Sequence, residues 1–133
     1  KHECILVHEF AHAVHLIGIN YMKDTSLADE FRNLYAQAKA DGLWPNTYAI
    51  SNYEEYFATL STVWFNVMEE GTNGTWDGVR GPVNTRAELK EYDPRAYAFF
   101  AKIYSHEYLP EHGMNIRIYM ISMEIQEIKE RGI

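Results

Sequence analysis

Two histidines four positions apart, with a glutamate directly after the first, are the residues of this chain best spaced to do chemistry: His8-Glu9-Phe10-Ala11-His12. On an α-helix, positions i and i+4 lie on one face about 6 Å apart along the axis, so His8 and His12 can turn two imidazole nitrogens toward a single zinc ion. Glu9 lies beside them, turned away from direct ligation. From there it can take a proton from a water activated by the ion and later deliver it to a leaving amine. The pattern supplies two ligands and a base in five residues.

A catalytic zinc site usually has three protein ligands and one open position. His15 is not the third ligand: it stands seven residues beyond His8, about 10 Å along a helix axis, too far to share an ion with bonds of about 2 Å. It reads as a packed or surface histidine. The extended pattern H-E-x-x-H-x-x-G-x-x-H is also broken, with His15 where Gly is required and Gly18 where His is required, which argues against a metzincin. The third ligand must come from downstream.

The elements that position these residues have to fit in 133 residues, one domain's worth of chain. Hydrophobic residues at 47% and aromatics at 14% mark a globular chain. A net charge of −7 gives no reason to expect nucleic acid as a partner, and no apolar run is long enough to span a bilayer. The single cysteine, Cys4, has no partner within the chain and reads as a small core residue. The sequon Asn73-Gly74-Thr75 would be used in a secreted protein, which slightly favours an extracellular location while leaving the compartment open. Because the chain enters its first helix almost at Lys1, it reads as a piece of a longer protein, lacking an upstream sheet-containing part.

Hydrophobic spacing predicts a mainly α architecture. Ile5, Leu6, Ala13, Val14, Leu16 and Ile17 form an apolar face on a helix over 3–17, with Gly18 as its stop. Leu27, Phe31, Leu34, Tyr35 and Ala38 mark a second helix over 24–40, capped by Asp24, Thr25 or Ser26 and ended by Gly42. A loop of turn formers and large rings, including Trp44 and Tyr48, leads to a third helix over 53–67. One side of that helix is broadly apolar. Glu55, Thr59, Thr62 and Asn66 make a narrow polar stripe on the other, suited to a close approach to a metal. Two glutamates compete at its start: Glu54 fits a capping box with Ser51, which would leave Glu55 for the metal, whereas Asn52 as cap would give Glu55 the N3 position. Spacing alone leans toward Glu55 and leaves both open.

Taken together, His8-Glu9-Phe10-Ala11-His12 and, after one intervening helix, Tyr48-Ala49-Ile50-Ser51-Asn52-Tyr53-Glu54-Glu55-Tyr56-Phe57-Ala58 resemble the zinc metallopeptidases of the gluzincin clan, most closely the anthrax lethal factor type of catalytic domain. The resemblance covers roughly residues 1–67. It implies Glu55 as the third ligand, since in that family the ligand stands just before an aromatic pair and Ala, here Tyr56-Phe57-Ala58. It also implies that Tyr48, seven residues earlier, points its hydroxyl at the metal. Two positions depart: Ala11 stands where the family often has Gly, and Thr59 where it has an acidic residue. Thr59 is therefore expected to give a histidine ligand weaker hydrogen-bonded support.

The activity so implied is zinc-dependent hydrolysis of peptide bonds in a peptide or protein substrate. His8, His12 and Glu55 would hold Zn²⁺, Glu9 would act as base, and Tyr48 would donate a hydrogen bond to the developing oxyanion. The rivals are a domain that keeps this fold for binding without turnover, against which the presence of Glu9 speaks, and a helical domain without metal. Zinc-triad hydrolysis of a non-peptide amide is a further variant.

The remainder reads as scaffold. Residues 69–83 form a Gly-rich connection with Trp76 and Arg80, either solvated or facing substrate. Thr85 and Glu88 form a capping box for a short helix through Lys90, and Asp93-Pro94 starts another through Tyr104. His106, Glu107, Glu111 and His112 cluster without the spacing of a zinc site. Met114, Ile118, Ile121, Ile125 and Ile128 predict a last helix that packs on the domain or on another chain. The organisation expected is one domain over 1–133, with a zinc-binding core at 1–67, the loop at 69–83 and C-terminal helices over 85–133.

Overall fold

A computed structural model describes residues 4–105 and 130–131. Among the described residues the chain is mainly helical, with no β-strand. Its helices are α1 (Ile5–Ala13), α2 (Ser26–Ala40), α3 (Tyr53–Trp64), α4 (Arg86–Tyr92) and α5 (Pro94–Tyr104). None of them is long and apolar enough to cross a membrane. The histidine and glutamate cluster at 106–112 and the helix expected over 114–128 lie outside the described residues.

Helix α3 is the centre of the molecule. Every residue from Tyr56 to Trp64 is buried, so the whole span serves as core and has no solvent-facing stripe. Phe31, Phe99, Phe100 and Trp44 join it in one aromatic-rich cluster. The helix ends earlier than expected, at Trp64 and not at residue 67, because Asn66 turns into the left-handed region at φ 57°. Its end is then covered by Arg86, whose Nε donates to the Trp64 carbonyl at 2.7 Å while its guanidinium lies 4.2 Å over the Trp64 ring. The Asn66 side-chain oxygen accepts the Arg86 backbone N–H at 2.8 Å.

A buried carboxylate joins three parts of this core. Asp93 accepts from the Trp44 indole at 3.0 Å, from the Tyr56 hydroxyl at 2.8 Å and from the backbone N–H of Ala96 at 3.2 Å. The last of these caps α5. Burial, and then the neighbouring Asp93, push the Tyr56 phenol far above its ordinary pKa, so it stays a donor. Helix α4 starts on the capping box read from sequence: Thr85 Oγ1 accepts the Glu88 N–H at 3.3 Å and the Glu88 carboxylate accepts the Thr85 N–H at 2.9 Å.

The first helix departs from expectation in two ways. Its α-helical part ends at Ala13 and continues as a π-helical turn, Val14–Gly18, and a 3₁₀ turn, Ile19–Tyr21. Its buried side carries Val7, His8, Ala11, Val14 and His15, whereas Ile5 and Ile17 are 71% and 69% exposed. The apolar count misjudged the inward face because His8 and His15 take core positions. Gly18 is no left-handed stop, with φ −76° and ψ −81°. A Cβ there would lie 3.1 Å from the guanidinium nitrogens of Arg131, and close approach is what Gly18 permits. Gly42 does end α2 as expected, at φ +70°.

His15 is a packed histidine. Its ring stacks on Phe57 at 4.8 Å and meets Phe31 and Tyr53 edge-on at 5.0 and 5.3 Å. Burial lowers its pKa from 6.5 to about 4. Between those values the unfolded chain binds a proton at this position and the folded chain does not, so stability falls as the pH drops from 6.5 toward 4. The loss is at most about 3 kcal/mol. Replacing His15 with Leu should flatten the pH dependence of the urea midpoint over that window while leaving the dependence above pH 7 alone; an unchanged acid slope would show that His15 is not the group responsible.

Candidate metal centre

Helices α1 and α3 run antiparallel and pack along each other. The Cys4 N–H donates to the Val67 carbonyl at 3.1 Å, which ties the start of α1 to the turn after α3. At the opposite end, His12 meets Glu55 in the first turn of α3. One turn of α1 separates His8 from His12, so both rings face that same point.

Asn52 sets the start of α3. Its backbone is extended, and its side-chain oxygen accepts the Glu55 N–H at 2.8 Å. Of the two caps that spacing left open, the helix uses Asn52, and Glu55 takes N3. Its carboxylate nevertheless goes to the histidines, with Oε2 at 3.0 Å from His8 Nε2 and Oε1 at 3.5 Å from His12 Nε2. The two Nε2 atoms are 3.2 Å apart. Ser51, the rival cap, donates its hydroxyl to the Tyr48 carbonyl at 2.7 Å instead.

These three side chains form the group that can hold a metal ion among the described residues, with ligand atoms within 4.8 Å of one another. A tetrahedral ion with bonds of about 2.0–2.1 Å spaces its ligand atoms about 3.3 Å apart, close to the 3.2 Å between the two Nε2 atoms and the 3.0 Å from His8 Nε2 to the nearer Glu55 oxygen. Three lone-pair-bearing atoms facing one point repel each other unless a proton or a cation lies between them. The donor set, two imidazoles and a carboxylate, suits a divalent first-row ion. Glu54 and His15 stand outside the group.

The surroundings match expectation only in part. Glu9 is exposed and stands outside the group of His8, His12 and Glu55. The Tyr48 ring lies 6.4 Å from the His8 ring with planes 30° apart, and Tyr48 is 47% exposed. Thr59 does not support a histidine: its hydroxyl is buried and makes no hydrogen bond. It lies one turn further along α3, and the residue lines a small cavity shared with Trp44, Thr47 and Arg80. Nδ1 of His12 is likewise buried without a partner, so the second ring nitrogen lacks the acceptor that commonly orients a ligating imidazole.

Two supports were not read from the sequence. The Tyr48 N–H donates to the Val79 carbonyl at 2.9 Å, and the Tyr48 carbonyl accepts from both Ser51 N–H and Ser51 Oγ. The second had a local signal, a Ser three residues after Tyr48; the first joins residues 31 positions apart and had none. No protein-family model matches this sequence, and neither a curated protein nor a solved structure matches it.

Because Asn52 starts the helix that presents Glu55, Asn52→Ala should cost about 1 kcal/mol in chemical denaturation. A variant as stable as the parent would show that the cap does not matter to this helix.

Proposed function

We propose that the chain is the zinc-binding part of a zinc-dependent endopeptidase of the gluzincin type. The observation that carries this reading is the convergence of His8, His12 and Glu55 on one point, the first and last of them 47 positions apart in sequence, with the half-exposed Tyr48 ring 6.4 Å from that of His8. Two histidines and a glutamate are a ligand set found in catalytic zinc sites, where the fourth position stays open.

Zinc, when bound, polarises a carbonyl and makes water a stronger acid. The rest is done by side chains of this chain. Glu9 is adjacent in sequence to His8 and exposed to solvent, and in this reading its carboxylate is the base. It holds the proton lost by the attacking water and passes it to the nitrogen of the departing amine. The phenol of Tyr48 donates a hydrogen bond to the carbonyl oxygen as negative charge gathers on it. The ring is half-exposed, so solvent and substrate have access to the side chain.

The test joins metal content to turnover. Purified chain incubated with zinc should retain it stoichiometrically by elemental analysis, and Glu55→Ala should bind at least about 100-fold more weakly. Glu9→Gln should keep the zinc and lose cleavage of a peptide library by about 10²- to 10⁴-fold. A chain that retains no zinc, or a Glu9→Gln variant that cleaves as well as its parent, would overturn the proposal.

A further inference from the structure

The Gly-rich segment after α3, exposed along much of its length, is folded around a single carboxylate. Oδ2 of Asp77 accepts the N–H of Thr72 at 2.9 Å and its hydroxyl at 3.1 Å. Oδ1 accepts the N–H groups of Val79 at 3.0 Å and Arg80 at 2.8 Å. The Arg80 guanidinium stands 3.5 Å from the same carboxylate, and the Asp77 N–H closes the turn on the Arg80 carbonyl at 3.0 Å. The backbone donors of Arg80, Thr72 and Val79 hold the Asp77 carboxyl well below its usual range, so it is ionised at any pH near neutrality.

That turn has a purpose outside itself. Its Val79 carbonyl accepts the Tyr48 N–H at 2.9 Å, its Gly78 N–H donates to the Asn46 carbonyl at 2.8 Å, and the Asn46 amide donates to the Trp76 carbonyl at 3.0 Å. Gly78 adopts φ +97° to make this possible. Tyr48 is therefore gripped through its backbone, with Val79 on one side and Ser51 on the other. Since its side chain is nearly half exposed, packing alone does not fix where the phenol points. The backbone does.

We infer that Asp77 is a positioning residue for Tyr48, acting through the Val79 and Gly78 peptide groups to hold the phenol over the His8 edge of the cluster. The inference rests on the catalytic role proposed for Tyr48. It adds a residue 29 positions away that touches neither metal ligand nor substrate.

A double-mutant cycle separates this role from a structural one. In the zinc-loaded chain, Asp77→Ala should lower kcat for peptide cleavage about 10- to 100-fold, with KM and zinc content near those of the parent, and Asp77→Asn, which keeps one acceptor oxygen, should fall between. In a Tyr48→Phe background, Asp77→Ala should cause little further loss. Equal loss in both backgrounds would overturn the inference.

Amide hydrogen exchange, which needs no turnover, supplies the second readout. The Tyr48 and Gly78 amides should exchange faster in Asp77→Ala while those of Leu60 and Val63 stay protected; unchanged exchange at Tyr48 would equally overturn it. Faster exchange in a chain that cleaves no peptide would uphold the grip on Tyr48 and locate the failure in the catalytic reading.

Discussion

Burial of α3 on all sides is the constraint to which the other elements conform. A helix exposed along one face can slide or turn by small amounts at little cost, but one surrounded from Tyr56 to Trp64 moves only if its neighbours repack. Its two ends are held by polar groups, Asn52 at the start and Arg86 at the finish. Near its start it is also tied through Tyr56 to the carboxylate of Asp93. Glu55 inherits this rigidity: it stands in the first turn of an element that is fixed everywhere else. A carboxylate presented in this way would need little ordering to take up an ion.

The first helix accepts an unfavourable orientation to match. Large aliphatic side chains at Ile5 and Ile17 face outward while imidazoles face inward, the reverse of what transfer free energies favour. Two different arrangements make the inward histidines tolerable. His8 and His12 share the Glu55 carboxylate, whereas His15 discards its proton and behaves as an aromatic ring among Phe57, Phe31 and Tyr53. Neighbouring histidines of one helix thus serve opposite chemical ends, and what separates them is the company each keeps.

Much of the frame was legible in the sequence. The helices carrying Phe31, Tyr56 and Phe99, the Thr85 and Glu88 capping box, and the start of α5 at Asp93-Pro94 all rest on local rules that the structure obeys. The pairing of His8 with His12 follows from helical spacing alone. The rotation of α1 was not legible, because hydrophobic periodicity counts histidine as polar and assumes an unbroken 3.6-residue turn. The π turn at Val14–Gly18 widens that turn and shifts the phase of Leu16 and Ile17. Thr59 also escaped: its place on the polar stripe suggested a role beside the histidines, yet its hydroxyl is buried without a partner. Long-range backbone bonds such as Tyr48 to Val79 leave no trace in composition or spacing.

The packing around Trp44 carries an optical consequence. Its indole N–H points into the Asp93 carboxylate at 3.0 Å, and its ring meets those of Trp76 and Tyr92 edge-on, at 6.2 and 5.1 Å. The fluorophore is therefore buried with its N–H donated to the Asp93 carboxylate, and a second indole from the Asp77 loop lies close enough for excitation energy to pass between them. The Trp44 component of the emission, distinct from that of Trp64 at the far end of α3, is thus sensitive to both the Asp93 centre and the seating of the loop that carries Trp76.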